Sequence, residues 1–149
     1  MNGWLNANVV VPVGLRGAAQ RTFEFPVGGT SVFLTGSPGC GKTFLANQII
    51  EALRGSALTV AACGSSGAAA ALVDGITLHS WVGFCNGDAD VASPLSVVLH
   101  KVIPLSAKLR MCASMVLVVD EVGTLSAAIL ARLGLVLARC GAGTLRLAG

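Results

Sequence analysis

Eight consecutive residues, Gly36-Ser37-Pro38-Gly39-Cys40-Gly41-Lys42-Thr43, fit the pattern G-x-x-x-x-G-K-[ST]. Gly36, Gly39 and Gly41 let the backbone bend tightly and come close to a ligand. Before the loop, Ser31-Val32-Phe33-Leu34-Thr35 reads as a short buried strand. After it, Phe44 to Leu53 reads as a helix. A strand, a glycine loop and a helix in this order aim backbone N–H groups and a helix N-terminus at a polyphosphate. The segment therefore points to an α/β architecture and a nucleoside triphosphate ligand. A chance glycine-rich loop would not explain the matching flanks.

At 149 residues the chain is long enough for one domain with a buried core. Hydrophobic residues make up 54% and charged residues 11%, against roughly 25% charged in an average soluble domain. Such a chain either hides nearly all its residues or leaves apolar surface for a partner. Gly55 to Val73 carries no charge, but it is crowded with Gly, Ser and Ala and broken by Gly64-Ser65-Ser66-Gly67. A membrane span needs about 20 predominantly apolar residues, so no membrane association is expected. The start, Met1-Asn2-Gly3-Trp4-Leu5-Asn6, has neither a basic n-region nor an apolar h-region, and no signal peptide is expected. The net charge of +3 permits nucleic-acid binding without demanding it. Five cysteines, with no C-x-x-C pair, argue against a disulfide framework or zinc site and for a reducing compartment. Cys40 sits inside the glycine loop. It is either a small residue at a tolerant position or a redox switch.

Residues 1–30 form a poorly patterned lead-in. Val9–Val11 and Thr22–Phe25 are candidate short strands, and Gly28-Gly29 a turn. Residues 31–149 form the domain proper. The helix after the loop runs to about Arg54, with Gly55 as its C-terminal cap. Leu58–Ala62 reads as a second strand and Ala68–Val73 as a short helix. A polar loop follows at Asn86–Asp90. Leu95–Val102 and Leu105–Met111 read as helical pieces interrupted by Pro104. Met115–Val119 is apolar throughout, as parallel strands covered on both faces tend to be. Leu125–Ala138 has helical spacing, and Thr144–Ala148 is a fourth strand. Alternating strands and helices imply a parallel sheet with flanking helices.

The glycine-loop pattern assigns Lys42 to the β- and γ-phosphates and the Thr43 hydroxyl to Mg²⁺. Asp120-Glu121 directly follows the apolar third strand. Carboxylates at such a strand end face the ligand crevice of an open parallel sheet. Asp120 would hold Mg²⁺, and Glu121 would orient the attacking water as general base. Taken alone, the pair is equally a solvated strand end. Behind a phosphate loop the catalytic reading is favoured. Asp120-Glu121-Val122-Gly123 also fits the GTPase pattern D-x-x-G, but the guanine-reading N-K-x-D occurs nowhere in the chain.

The segment from Ser66 to Gly83 discriminates further. Ser66-Gly67-Ala68-Ala69-Ala70 and Gly75-Ile76-Thr77-Leu78-His79-Ser80 lie between the glycine loop and the Asp-Glu strand. Here the chain resembles the PIF family of superfamily-one DNA helicases, and more distantly RecD-type helicases. That family carries T-G-x-A-A, then G-x-T-L-H-S and an aromatic, at this spacing. The first stretch matches with Ser for Thr, the second in full. The resemblance covers roughly residues 31–149. It implies a RecA-like ATPase motor domain that uses ATP and Mg²⁺ to step five-prime to three-prime along single-stranded DNA, with family roles in repair, recombination and telomere maintenance. It also implies that both stretches help grip the strand, through Ser66, Gly67, Thr77, His79 and Ser80. Hydroxyls and backbone N–H groups can bond phosphates without reading sequence. Trp81 offers a stacking face, or else packs in the core. His79 alone would more often be a structural hydrogen-bonder, and His100 reads as lying on a solvated helix face.

Departures from the family are specific. Its D-E-I-S-M becomes Asp120-Glu121-Val122-Gly123-Thr124. Its adenine-recognising Gln helix is not evident, and Gln20 lacks that pattern. Gly149 would be the first residue of the family's G-D-x-x-Q-L-P-P motif. The expectation is an incomplete motor domain, with the second motor domain of the parent absent. The alternatives are a truncated nucleotide-binding product without helicase activity, or another P-loop ATPase. The family works inside cells, in nuclei, mitochondria or bacterial cytoplasm.

Overall fold

A computed structural model describes residues 33–84, 103–139 and 147–148. Its centre is a four-stranded parallel sheet in the order β2-β1-β3-β4. The strands are β1 (Val60–Gly64), β2 (Ile76–Thr77), β3 (Val116–Asp120) and β4 (Leu147–Ala148). The helices are α1 (Lys42–Gly55), α2 (Gly67–Leu72), α3 (Leu78–Val82), α4 (Leu105–Ala113) and α5 (Ala127–Arg139), with a 3₁₀ turn at Val122–Thr124. The parallel sheet flanked by helices matches the architecture expected from the sequence.

β3 carries the fold because its side chains alternate between two cores. Leu117 and Val119 pack with Leu78, Trp81, Met111, Leu133 and Val136 on one face. Val116 and Val118 pack with Ile49, Ile50 and Leu53 of α1 on the other. A strand covered on both faces needs apolar residues at every position, which Val116-Leu117-Val118-Val119 supplies. Trp81 lies in the first core at 3% exposure, so its indole is not a stacking platform for a base.

β1 begins two residues later than the apolar run suggests. Leu58 is held by the end of α1, its N–H donating to Leu53 O (3.3 Å). Pairing with β3 runs from Val60↔Val116 to Gly64↔Asp120. Gly64 belongs in the strand because α2 crosses directly over it. A Cβ there would lie 2.1 Å from the Ala70 nitrogen. The end of α1 also differs from expectation. Gly55 stays in the last turn, Ser56 is the cap, and Ala57 takes the left-handed conformation (φ 58°). Of the strand expected at 31–35, residues 33–35 are described and form no ladder, and Phe33 is 70% exposed. β3 is already paired on both edges, by β1 and β4, so these residues find no strand position on it.

Pro104 caps the N-terminus of α4, as its interruption of the pattern suggests. The expected strands at 9–11 and 22–25, the turn at Gly28-Gly29, the lead-in at 1–30, the loop at Asn86–Asp90, the helix at 95–102, and residues 144–146 lie outside the described residues. No described helix is long and apolar enough to cross a membrane.

Two outcomes are expected. Leu117→Ala, at a fully buried position, should lower unfolding stability by about 2–5 kcal/mol in urea titration. Cys63 is also fully buried, and desolvation pushes its thiol up from 9.0 to about 12, with Arg110 opposing. The folded chain therefore keeps this proton when the unfolded chain has lost it. The Cys63 contribution is constant below pH 9. It is lost at up to about 1.4 kcal/mol per pH unit as pH rises from 9 towards 12. Stability measured against pH for the wild type and Cys63→Ala should diverge only in that window.

Candidate nucleotide and strand-binding sites

The glycine loop owes its shape to two left-handed residues, Gly39 (φ 77°) and Gly41 (φ 83°). Gly41 is also the N-cap of the 14-residue helix α1, so the loop runs directly into a helix N-terminus. Lys42 folds back over the loop. Its ammonium donates to the carbonyls of Gly36 (3.0 Å) and Ser37 (3.1 Å) and lies 4.0 Å from Cys40 Sγ. Cys40 is exposed.

Thr43 is the next residue along α1. Its hydroxyl donates to Asp120 Oδ2 at 3.2 Å, joining positions 77 residues apart. Both groups are half-buried. A cleft of about 190 Å³ opens beside them, with Phe33, Gly36 and Lys42 on its lining together with Val118, Asp120 and Glu121. The structure thus brings together the sequence-identified Gly36, Lys42, Thr43, Asp120 and Glu121. Ser37, Pro38, Gly39, Cys40 and Gly41 complete the exposed loop.

Glu121 departs from ordinary geometry. It stands at φ 57°, ψ 37°, in the left-handed region, which is uncommon for a residue with a Cβ. Two donors of Thr124 meet its carbonyl, the N–H at 3.1 Å and the hydroxyl at 2.8 Å.

The second group of candidates sits at the same end of the sheet. Gly64 pairs with Thr77 on one side and with Asp120 on the other. This single row of the ladder sets the two groups side by side. Ser66 is the N-cap of α2, its Oγ accepting from Ala69 N–H (3.1 Å), and Gly67 is the exposed first residue of that helix. Thr77 caps α3 in the same way. Its Oγ1 accepts from Ser80 N–H (3.2 Å) and lies 2.8 Å from Ser80 Oγ. His79 packs edge-on against Phe84, with ring centroids 6.3 Å apart.

Several contacts had no signal in the sequence. Arg110 reaches from α4 to the carbonyls of Ser80 (3.0 Å) and Trp81 (3.3 Å), bracing α3. Asn47 Nδ2 donates to Leu72 O (2.8 Å), tying α1 to the end of α2. Thr124 Oγ1 lies 2.7 Å from Ser65 Oγ. Side chains that bond a distant backbone or hydroxyl leave no periodic pattern to read.

A parallel α/β sheet with a glycine loop at a helix N-terminus and an Asp-Glu pair at a strand end defines the P-loop class of RecA-like domains. Within it, the chain belongs to the PIF1-like helicase family, whose family model matches residues 24–141. It is 39% identical over 99 residues to the ATP-dependent DNA helicase Pif1 of a Psychrobacter species, covering 66% of this chain and 15% of that protein. It is 34% identical over 139 residues to the ATP-dependent DNA helicase PIF1 of Saccharomyces cerevisiae, covering 89% of this chain and again 15% of the relative. The crystal structure of the Pif1 helicase from Candida albicans superposes with a TM-score of 0.73 at 28% identity, over 93% of this chain and 33% of that one. The structure of Bacteroides Pif1 bound to single-stranded DNA shares the fold, with a TM-score of 0.73 at 20% identity, over 92% of this chain and 32% of that one. The chain spans 15% of the length of each of these two curated relatives.

Removing the α3 cap tests how far these hydroxyls are structural. Thr77→Ala should cost about 1 kcal/mol of unfolding stability, because Ser80 N–H loses its acceptor. Thr77→Ser should recover most of that in the same urea titration.

Proposed function

We propose that this chain supplies the ATP-binding part of an ATP-dependent DNA helicase that translocates five-prime to three-prime on single-stranded DNA. The observation that carries this reading is the Thr43–Asp120 hydrogen bond beside the cleft. It joins the start of α1, directly after the glycine loop, to the end of β3. Family membership and the likeness to a Pif1 solved with single-stranded DNA support the rest.

The amides of residues 36–43 receive the phosphates. Lys42 exchanges its two loop carbonyls for β- and γ-phosphate oxygens, so its present bonds hold the ammonium in reserve at the loop. Thr43 and Asp120 offer a hydroxyl and a carboxylate oxygen to one point, a donor set that suits Mg²⁺. That ion is usually held by one or two carboxylates plus phosphates. Among the described residues there is no cluster of three or more His, Cys, Asp or Glu side chains that would suit a softer or fully caged metal. Bound magnesium would neutralise charge developing on the phosphates. Glu121 accepts a proton from the attacking water and orients it. Ser66, Gly67, Thr77, His79 and Ser80 contact the DNA backbone at the same sheet edge, which positions a strand without reading its sequence. In the intact motor a second domain would close on this one and supply arginines to the γ-phosphate. Roles in repair, recombination and telomere maintenance, and a place in the nucleus, mitochondrion or bacterial cytoplasm, follow from the family reading.

Titration calorimetry with Mg²⁺ and ATP tests the site. Lys42→Ala should abolish measurable nucleotide affinity. Asp120→Asn should remove most of the difference between Mg²⁺ and EDTA conditions, about tenfold for loss of a charge-assisted partner. Normal affinity in Lys42→Ala would count against the phosphate-loop assignment.

A further inference from the structure

Ser65 and Thr124 belong to neither candidate site, yet they connect the two. Ser65 lies between Gly64, the last residue of β1, and Ser66, the cap of α2. Thr124 ends the 3₁₀ turn that begins after Glu121. Their hydroxyl oxygens are 2.7 Å apart across 59 residues of sequence. Each hydroxyl has one proton to give. The Glu121 carbonyl, 2.8 Å from Thr124 Oγ1, can only accept. Both bonds therefore form together when Thr124 donates to that carbonyl and Ser65 donates to Thr124. The result is a chain from Ser65 through Thr124 to the main chain of Glu121. A second, backbone link runs beside it, from Ser65 N–H to Asp120 O at 3.1 Å.

The chain of hydroxyls acts on a residue that needs support. Glu121 occupies the left-handed region, and such a conformation persists only when its surroundings over-determine it. Glu121 is one of the residues lining the cleft, and the placement of its side chain there depends on that backbone. The same hydroxyl chain starts one residue before Ser66, which caps the helix opening with Gly67. A shift of either partner is thus felt at the other.

We propose that the Ser65–Thr124 hydroxyl pair couples nucleotide binding to single-stranded DNA binding, by tying the Glu121 backbone to the Ser66–Gly67 turn. Ser65 and Thr124 are positioning residues, and the inference rests on the function proposed above. Allosteric coupling of this kind is reciprocal: the factor by which nucleotide changes DNA affinity equals the factor by which DNA changes nucleotide affinity.

The test measures that factor in the present chain, with a fluorescent oligothymidylate and a non-hydrolysable ATP analogue with Mg²⁺, each titrated alone and in the presence of the other. In the wild type the two affinities should differ from their isolated values by the same factor, about fivefold or more. Thr124→Val should bring it below twofold while each isolated affinity stays within twofold of wild type. Thr124→Ser should retain the wild-type factor. A merely structural hydroxyl would change the thermal midpoint of Thr124→Val and leave the factor alone. Full linkage in Thr124→Val overturns the inference. So does a wild type that binds both ligands independently. A wild type that binds neither ligand overturns the proposed function, and the coupling with it.

Discussion

One row of the sheet, Thr77–Gly64–Asp120, sets the two groups of candidate site residues side by side among the described residues. Parallel strands place all their C-terminal ends on one edge, and ligands of open α/β sheets bind outside that edge. Here the edge carries the end of β3, the start of α2 and the start of α3. The glycine loop reaches it through the Thr43–Asp120 bond. The row depends on Gly64, because the α2 backbone crosses where any side chain would stand. A larger residue there would push α2 off the sheet, and the Ser66–Gly67 turn would no longer lie beside Asp120.

The polar groups at this edge are heavily committed. Ser66 and Thr77 already accept helix N–H groups, and Thr77 shares a hydrogen bond with Ser80. Their oxygens are caps first. What remains to meet a ligand is the Ser66 hydroxyl proton, which the cap does not use, the exposed Gly67 backbone and the Ser80 hydroxyl, with His79 half-buried next to them. This division explains why short segments hold their shape. Helices of five and six residues are too short to stand on propensity alone, so each is capped by a side chain at its N-terminus. The Arg110 guanidinium then braces the carbonyls of α3 from a neighbouring helix.

How much of this was legible in sequence follows from the range of the forces involved. β3 was read to within one residue because burial on both faces imposes an uninterrupted apolar run. The glycine loop was read because left-handed turns need glycine at Gly39 and Gly41. β1 was misplaced by two residues because Leu58 and Val60 look equally strand-like. Only the ladder with β3 and the hold of α1 on Leu58 decide between them. Of the strand expected at 31–35, the described residues 33–35 join no ladder, since pairing is decided by distant partners and not by the apolar run itself. Gly123-Thr124 registered in the sequence only as a lost family serine. That Thr124 meets Ser65 depends on two loops arriving at the same row, which no local pattern encodes.

The composition poses its own question, since 54% hydrophobic residues suggest a membrane or a large unpaired surface. Two-sided burial resolves a large part of it. A strand whose inward and outward side chains both meet helices consumes twice the apolar residues of a half-exposed one. Small residues account for more, as the buried Ala62, Ala69, Ala70 and Ala107 permit closer packing than larger side chains would. The remainder is exposed and specific in place. Phe44 lies in the first turn of α1 directly after Thr43, and Leu105 and Leu109 stand four residues apart on α4, which places them on one face of that helix. Burial on the two faces of the sheet and apolar exposure on the helices are therefore separate consequences of the same composition. The first sets the spacing of the layers that present Lys42, Asp120 and Glu121. The second leaves most of the exposed large apolar side chains of the described residues on helices, with Ile76 on β2 and Phe33 before the glycine loop as the others.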